Sequence, residues 1–132
     1  MYINGNGGLL VGQSTGKLDL KNVKVTGFVN CSGDECGGLI GKIQGNLDSS
    51  GVSFKGIVKG HTHVAGIVGE IGSNQVKLTG LDVYASVTAN NGQKSNGAAV
   101  CHSNSSNPGV CNVSGSVQVS GTYATCPGAG TA

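Results

Sequence analysis

The chain contains no tryptophan, no arginine and only two prolines; aromatic residues fill 4% of its positions and charged residues 11%, where a soluble domain usually carries ~25% charge. Each shortage excludes something. Eight lysines against six acids give a net charge of +2, without the basic density or planar guanidinium groups that normally grip phosphates and base edges, so no nucleic-acid partner is expected. No apolar run approaches the roughly 18 residues of a spanning helix, so no membrane insertion is expected. Met1-Tyr2-Ile3-Asn4-Gly5 has neither the basic start nor the apolar stretch of a signal peptide, and the chain reads as a soluble, mature or excised piece. Its 132 residues are the length of one domain.

Glycine is what the chain has in excess, 25 residues of 132 against a usual ~7%. The glycine-bearing segments recur with a period of about 29 residues, within the range of stacked repeat architectures. Val23-Lys24-Val25-Thr26-Gly27-Phe28-Val29 lies over Val52-Ser53-Phe54-Lys55-Gly56-Ile57-Val58 and over Leu81-Asp82-Val83-Tyr84-Ala85-Ser86-Val87, the same step each time. A second series runs Gly8-Leu9-Leu10-Val11-Gly12, Cys36-Gly37-Gly38-Leu39-Ile40-Gly41, Ala65-Gly66-Ile67-Val68-Gly69 and, in worn form, Asn96-Gly97-Ala98-Ala99-Val100. The last copy of the first series is expected at Val117-Gln118-Val119, further from Leu81 than the period requires. The extra residues fall between Cys101 and Cys111, where Asn104 to Gly109 read as an inserted loop.

A repeat of this length would suit a helical array, but the local pattern forbids one. Val23 and Val25, then Val52 and Phe54, alternate with polar residues at period two, and glycines recur where each would cost a helix about 1 kcal/mol relative to alanine. The expectation is an all-β chain, a parallel β-solenoid (β-helix) of about four rungs forming a single domain over residues 1–132: rungs near 6–35, 36–64, 65–95 and 96–126, with the loop 101–111 inserted and 127–132 as a tail. In that register Gln13, Lys42 and Glu70 are equivalent, as are Lys24, Ser53 and Asp82, and Asp19, Asp48 and Lys77. Only the Asp19–Asp48 step stacks like charges, which would destabilise neighbouring strands.

The cores Gly38-Leu39-Ile40-Gly41 and Gly66-Ile67-Val68-Gly69 resemble the GLUG repeat, a glycine-rich motif found in tandem in microbial surface proteins such as adhesins. The resemblance spans roughly residues 6–125. It weakens at Gly8 to Gly12, and at Gly97-Ala98-Ala99-Val100, where Cys101 stands in place of the closing glycine. It implies a stacked extracellular stalk or adhesive module, with no catalytic residue and no cofactor, because the repeat marks architecture and not chemistry.

Five cysteines bear on compartment. Cys31 and Cys36 bracket a corner, Cys101 and Cys111 bracket the inserted loop, and both spacings suit local disulfides in an oxidising, extracellular or cell-surface location. Cys111 with Cys126 is the competing pair. With two local pairs formed, Cys126 is the odd thiol, available for an intermolecular bond or for a partner in a neighbouring segment. Cys-x-x-Cys spacing is absent, so no zinc site is expected. His61 and His63 could meet a metal with Asp34 or Glu35, but the segment aligns with the Cys31–Cys36 corner and is expected to be a solvated turn, as is His102 in its loop. No metal is therefore assigned. Asn30, Asn104 and Asn112 satisfy the glycosylation pattern, against about two expected by chance from 12 asparagines and 22 serines and threonines.

An enzyme acting on polysaccharide would use acids along one face. Asp19 and Asp48 align, but Lys77 follows them and no aromatic platform for sugar rings is expected. An ice-binding face needs a threonine row, and Thr26 is followed by Lys55 and Tyr84. The reading ranked first is a structural or adhesive extracellular repeat module, not an enzyme, associating with itself head-to-tail as a filament or stalk. The second is an extracellular module that binds cell-surface glycans or proteins through the 101–111 loop.

Overall fold

The computed structural model of the chain describes residues 2–3, 7–71, 75–89, 97–103 and 110–121. These residues are all β, with no helix among them: β1 (Tyr2–Ile3), β2 (Val11–Ser14), β3 (Leu18–Lys21), β4 (Lys24–Cys31), β5 (Glu35–Gly37), β6 (Ile40–Ile43), β7 (Leu47–Ser50), β8 (Ser53–Lys59), β9 (His63–Ala65), β10 (Val68–Ile71), β11 (Gln75–Thr88), β12 (Gly97–Ala98), β13 (Cys101–Ser103) and β14 (Val110–Gly121). They form a seven-stranded sheet ordered β1-β4-β8-β11-β7-β3 with β14 also on β11, a four-stranded sheet β13-β10-β6-β2, and a three-stranded sheet β12-β9-β5.

Every strand pair among the described residues is parallel, and the partners lie about one repeat apart. Val11 pairs with Ile40, Leu18 with Leu47 and Lys24 with Ser53, then Leu47 with Val76 and Ser53 with Asp82. Parallel neighbours cannot be joined by a hairpin. The chain between them instead passes through the other two sheets before it returns.

The corner between β3 and β4 shows how sequence sets this path. Asn22 has φ 53, and its equivalents in the next two units, Gly51 and Gly80, have φ 65. This left-handed conformation suits glycine, and among other residues asparagine tolerates it best. The bend therefore recurs wherever the sequence supplies Asn or Gly at that step.

Inward side chains stack in columns. Val25, Phe54, Val83 and Val117 form one, and Leu18, Leu47, Val76 and Cys111 another. In the middle two units these residues are buried, whereas Val25, Leu18 and Val117 at the ends of the stack are only partly so. Full burial of such a side chain contributes about 1.5–3 kcal/mol, so the middle units carry most of the stability. The glycines of the second sequence series permit this stacking: the amide of Gly38 donates to the Gly66 carbonyl at 3.1 Å and that of Gly66 to the Ala99 carbonyl at 3.0 Å. A methyl at Gly38 would overlap the Gly66 oxygen and stand 2.6 Å from the Phe54 ring.

The fourth unit departs from the expected register. Ala65 pairs with Ala98 and Val68 with Cys101, so Ala99 and not Gly97 lies over Gly66. Leu81 pairs with Gly115 and Val83 with Val117, the register shifting by one at an irregularity between Leu78 and Leu81. Both departures from the sequence alignment are of two positions. A slip of two preserves which side chains face inward, so alternation cannot detect it. The expected insertion is also narrower than 101–111, because Cys101–Ser103 is β13 and Val110 opens β14; residues 104–109 lie outside the described residues.

Candidate functional site

Cys31 ends β4 and is bonded to Cys36 on β5, with Cα atoms 5.9 Å apart; Cys101 on β13 is bonded to Cys111 on β14 across 6.5 Å. All four are buried. Two disulfides suggest an oxidising, extracellular-type environment. Cys126 lies outside the described residues, and no helix among those described is long and apolar enough to cross a membrane. Of the three acceptor asparagines, Asn112 is exposed on β14, Asn30 is half-buried on β4 in register with Lys59, and Asn104 lies outside the described residues.

One corner gathers charge. Glu35 is in register with His63 and Lys42 with Glu70, so one step along the stack sets each acid beside a basic group. Lys42 Nζ is 3.1 Å from Glu70 and 3.6 Å from Glu35, and His63 Nε2 is 3.5 Å from the other Glu70 oxygen. Both acids are buried. The hydrogen bond to Glu70 raises the Lys42 pKa above the ordinary 10.5, burial opposes the rise, and the attraction of both carboxylates adds to it. Two expectations change here. His102 lies on β13, half-buried, its ring edge-on to that of His63 with centroids 4.8 Å apart. His63 opens β9, its amide donating to the Asp34 carbonyl at 2.8 Å. Among the described residues no group of three or more metal-ligating side chains forms; the Lys42 ammonium occupies the space between the two carboxylates.

Asp19 and Asp48 are in register and exposed beside a groove of about 280 Å³. Lys17 approaches Asp19 at 4.0 Å, and Lys77 is in strand register with Asp48. Both carboxylates are open to solvent, and each has a lysine at a neighbouring position.

The outer face of the seven-stranded sheet differs from what the sequence leads one to expect. Outward columns run Thr26, Lys55, Tyr84, Gln118 and Phe28, Ile57, Ser86, Ser120. Between them lies an open groove of about 460 Å³ whose floor is the backbone of Gly56, Ala85 and Val119. Tyr84 is 61% exposed, and Phe28 and Ile57 are also exposed. Lys55 Nζ lies 5.9 Å from the centre of the Tyr84 ring, and Lys59 Nζ lies 5.6 Å from that of Phe28. The scarcity of aromatics argued against any such platform. The signal that locates it is parity: Phe54 falls on an inward position, whereas Phe28 and Tyr84 fall on outward ones.

Comparison with protein-family models, with curated proteins and with solved structures finds no match to this chain.

Proposed function

We propose that this chain is a structural or adhesive extracellular repeat module, a parallel β-solenoid of about four GLUG-type rungs that associates head-to-tail with further copies. The observation that carries the reading is the ladder of equivalent positions one repeat apart, in which each inward column continues from one unit to the next. The same columns end half-covered at both limits of the described stack: Leu9, Val11, Leu18, Leu20, Val23 and Val25 on one side, Val113, Val117 and Val119 on the other. A second copy continuing the register would cover both sets. It would set Ser116 over Lys24 and Asn112 over Asp19, with no like charges in contact. Such a contact is heterologous and does not close, so it propagates as a filament. The disulfides support an extracellular setting, where a short β-stack benefits from covalent ties.

Sedimentation velocity over a concentration series, with electron microscopy of the same samples, tests the assembly. Association into rods is expected, with Val25→Lys or Val117→Lys each blocking it from one side. A stable monomer at millimolar concentration with no fibres refutes it.

A further inference from the structure

We propose that the groove on the outer face of the seven-stranded sheet binds an acidic polysaccharide, a uronate ring stacking on Tyr84 while its carboxylate pairs with Lys55. The site is formed by β8, β11 and β14 outside the 101–111 segment, and the proposal deepens the adhesive part of the function above. It rests on that reading only for its extracellular setting.

The kind of occupant follows from what the groove offers. Its central strand β11 is paired on both sides, with β8 and with β14, so its backbone groups are engaged and a peptide strand cannot be added there. Recognition falls to side chains. Tyr84 presents an exposed aromatic face, Ile57 an apolar edge, and Gln118, Ser86 and Ser120 an amide and two hydroxyls. A ring apolar on its faces and edged with hydroxyls suits that mixture. Among the described residues Lys55 is the only charged one lining the groove, which selects for a negative ligand group.

A second lysine–aromatic pair extends the site. Lys59 lies four residues beyond Lys55 on β8, against the Phe28 ring of β4. Tyr84 and Phe28 are two strands apart and two residues apart in register, a diagonal of about 12 Å from ordinary sheet spacings. Two anionic sugars of one extended chain could therefore occupy the two pairs. Because the face is a paired sheet, little ordering is needed on binding.

The test is affinity electrophoresis through gels containing polygalacturonate, alginate or hyaluronan, each compared with its carboxyl-reduced form. The wild-type protein is used at a concentration too low for copies to associate, so failure here leaves the assembly reading untouched. Retardation by at least one uronate polymer is expected, and its loss on carboxyl reduction. Tyr84→Ala and Lys55→Gln should each weaken binding about tenfold, the scale of one stacking contact or one partly desolvated charge pair. Tyr84→Phe should retain it, and so should Lys77→Gln, which removes a cation outside the groove. All three side chains are exposed, and far-UV circular dichroism checks that the variants fold. Four results would each overturn the proposal: no retardation by any of the three polymers, equal retardation by the reduced forms, equal losses from Lys77→Gln and Lys55→Gln, or tighter binding of a single-stranded oligonucleotide than of every uronate polymer.

Discussion

Phe54 is the test of whether the inward columns hold the molecule together. Its side chain is 1% exposed, it stands between Val25 and Val83 in its column, and its ring passes over Gly38, where an added methyl would meet it at 2.6 Å. Truncation to alanine removes a ring that neighbouring backbone, tied by hydrogen bonds to the units on either side, cannot move in to replace. The expected cost is therefore about the full 3–5 kcal/mol of a buried Phe→Ala change. That is a large fraction of the roughly 5–15 kcal/mol by which domains are stable, and it should lower the melting point by roughly 10–20 °C. Gly38→Ala should cost about 2–3 kcal/mol through overlap with both the ring and the Gly66 carbonyl. Combining the two relieves only the ring overlap, so the double variant should recover about 1 kcal/mol and no more. Urea unfolding followed by circular dichroism measures all three. A loss below about 1 kcal/mol for Phe54→Ala, or full additivity of the pair, would refute the packing argument.

Three further outcomes are expected. The bridged cysteines are separated by five and ten residues, so each bond should contribute no more than the ~3 kcal/mol of a 15-residue loop; melting with and without reductant should show a lower midpoint and an intact β spectrum, and an unchanged midpoint would contradict this. At the left-handed corner, Gly51→Ala and Gly80→Ala should each destabilise by about 1–2 kcal/mol while Asn22→Gly is tolerated, and denaturant titration would expose a wrong assignment as a null effect at the glycines. Because the fold raises the Lys42 pKa, its contribution is fully present below pH 10.5 and is lost as the pH rises through the raised value. Lys42→Met should accordingly cost about 2 kcal/mol at neutral pH, since Lys42 remains 28% exposed while Glu70 beside it is buried. That deficit should shrink above pH 10.5, and a wild-type-minus-variant difference that stays flat from neutral to strongly alkaline pH would rule the coupling out.

Much of the organisation is written locally. Period-two alternation of Val23, Val25, Val52 and Phe54, returning with every repeat, is enough to name strands, their faces and their partners in the first three units, because each inward residue must meet its equivalent one repeat away. The left-handed bend can be read in the same way, from Asn22, Gly51 and Gly80 at one step of the repeat.

The sequence by itself determined that the chain is β, that its units repeat, and which side chains point inward, since each follows from the character and spacing of neighbouring residues. Only the tertiary structure decided the rest. Alternation repeats every two residues, so it cannot distinguish Leu81 over Gly115 from Leu81 over Val117; that choice depends on how backbones fit across units. Nor can it bring Glu35, Lys42, His63 and Glu70 together, because these residues sit on four strands whose closeness arises when one unit lies on the next. The groove beside Tyr84 has the same origin: five scattered aromatics carry no pattern along the chain, and two of them become a face only when parallel pairing lines up their outward positions.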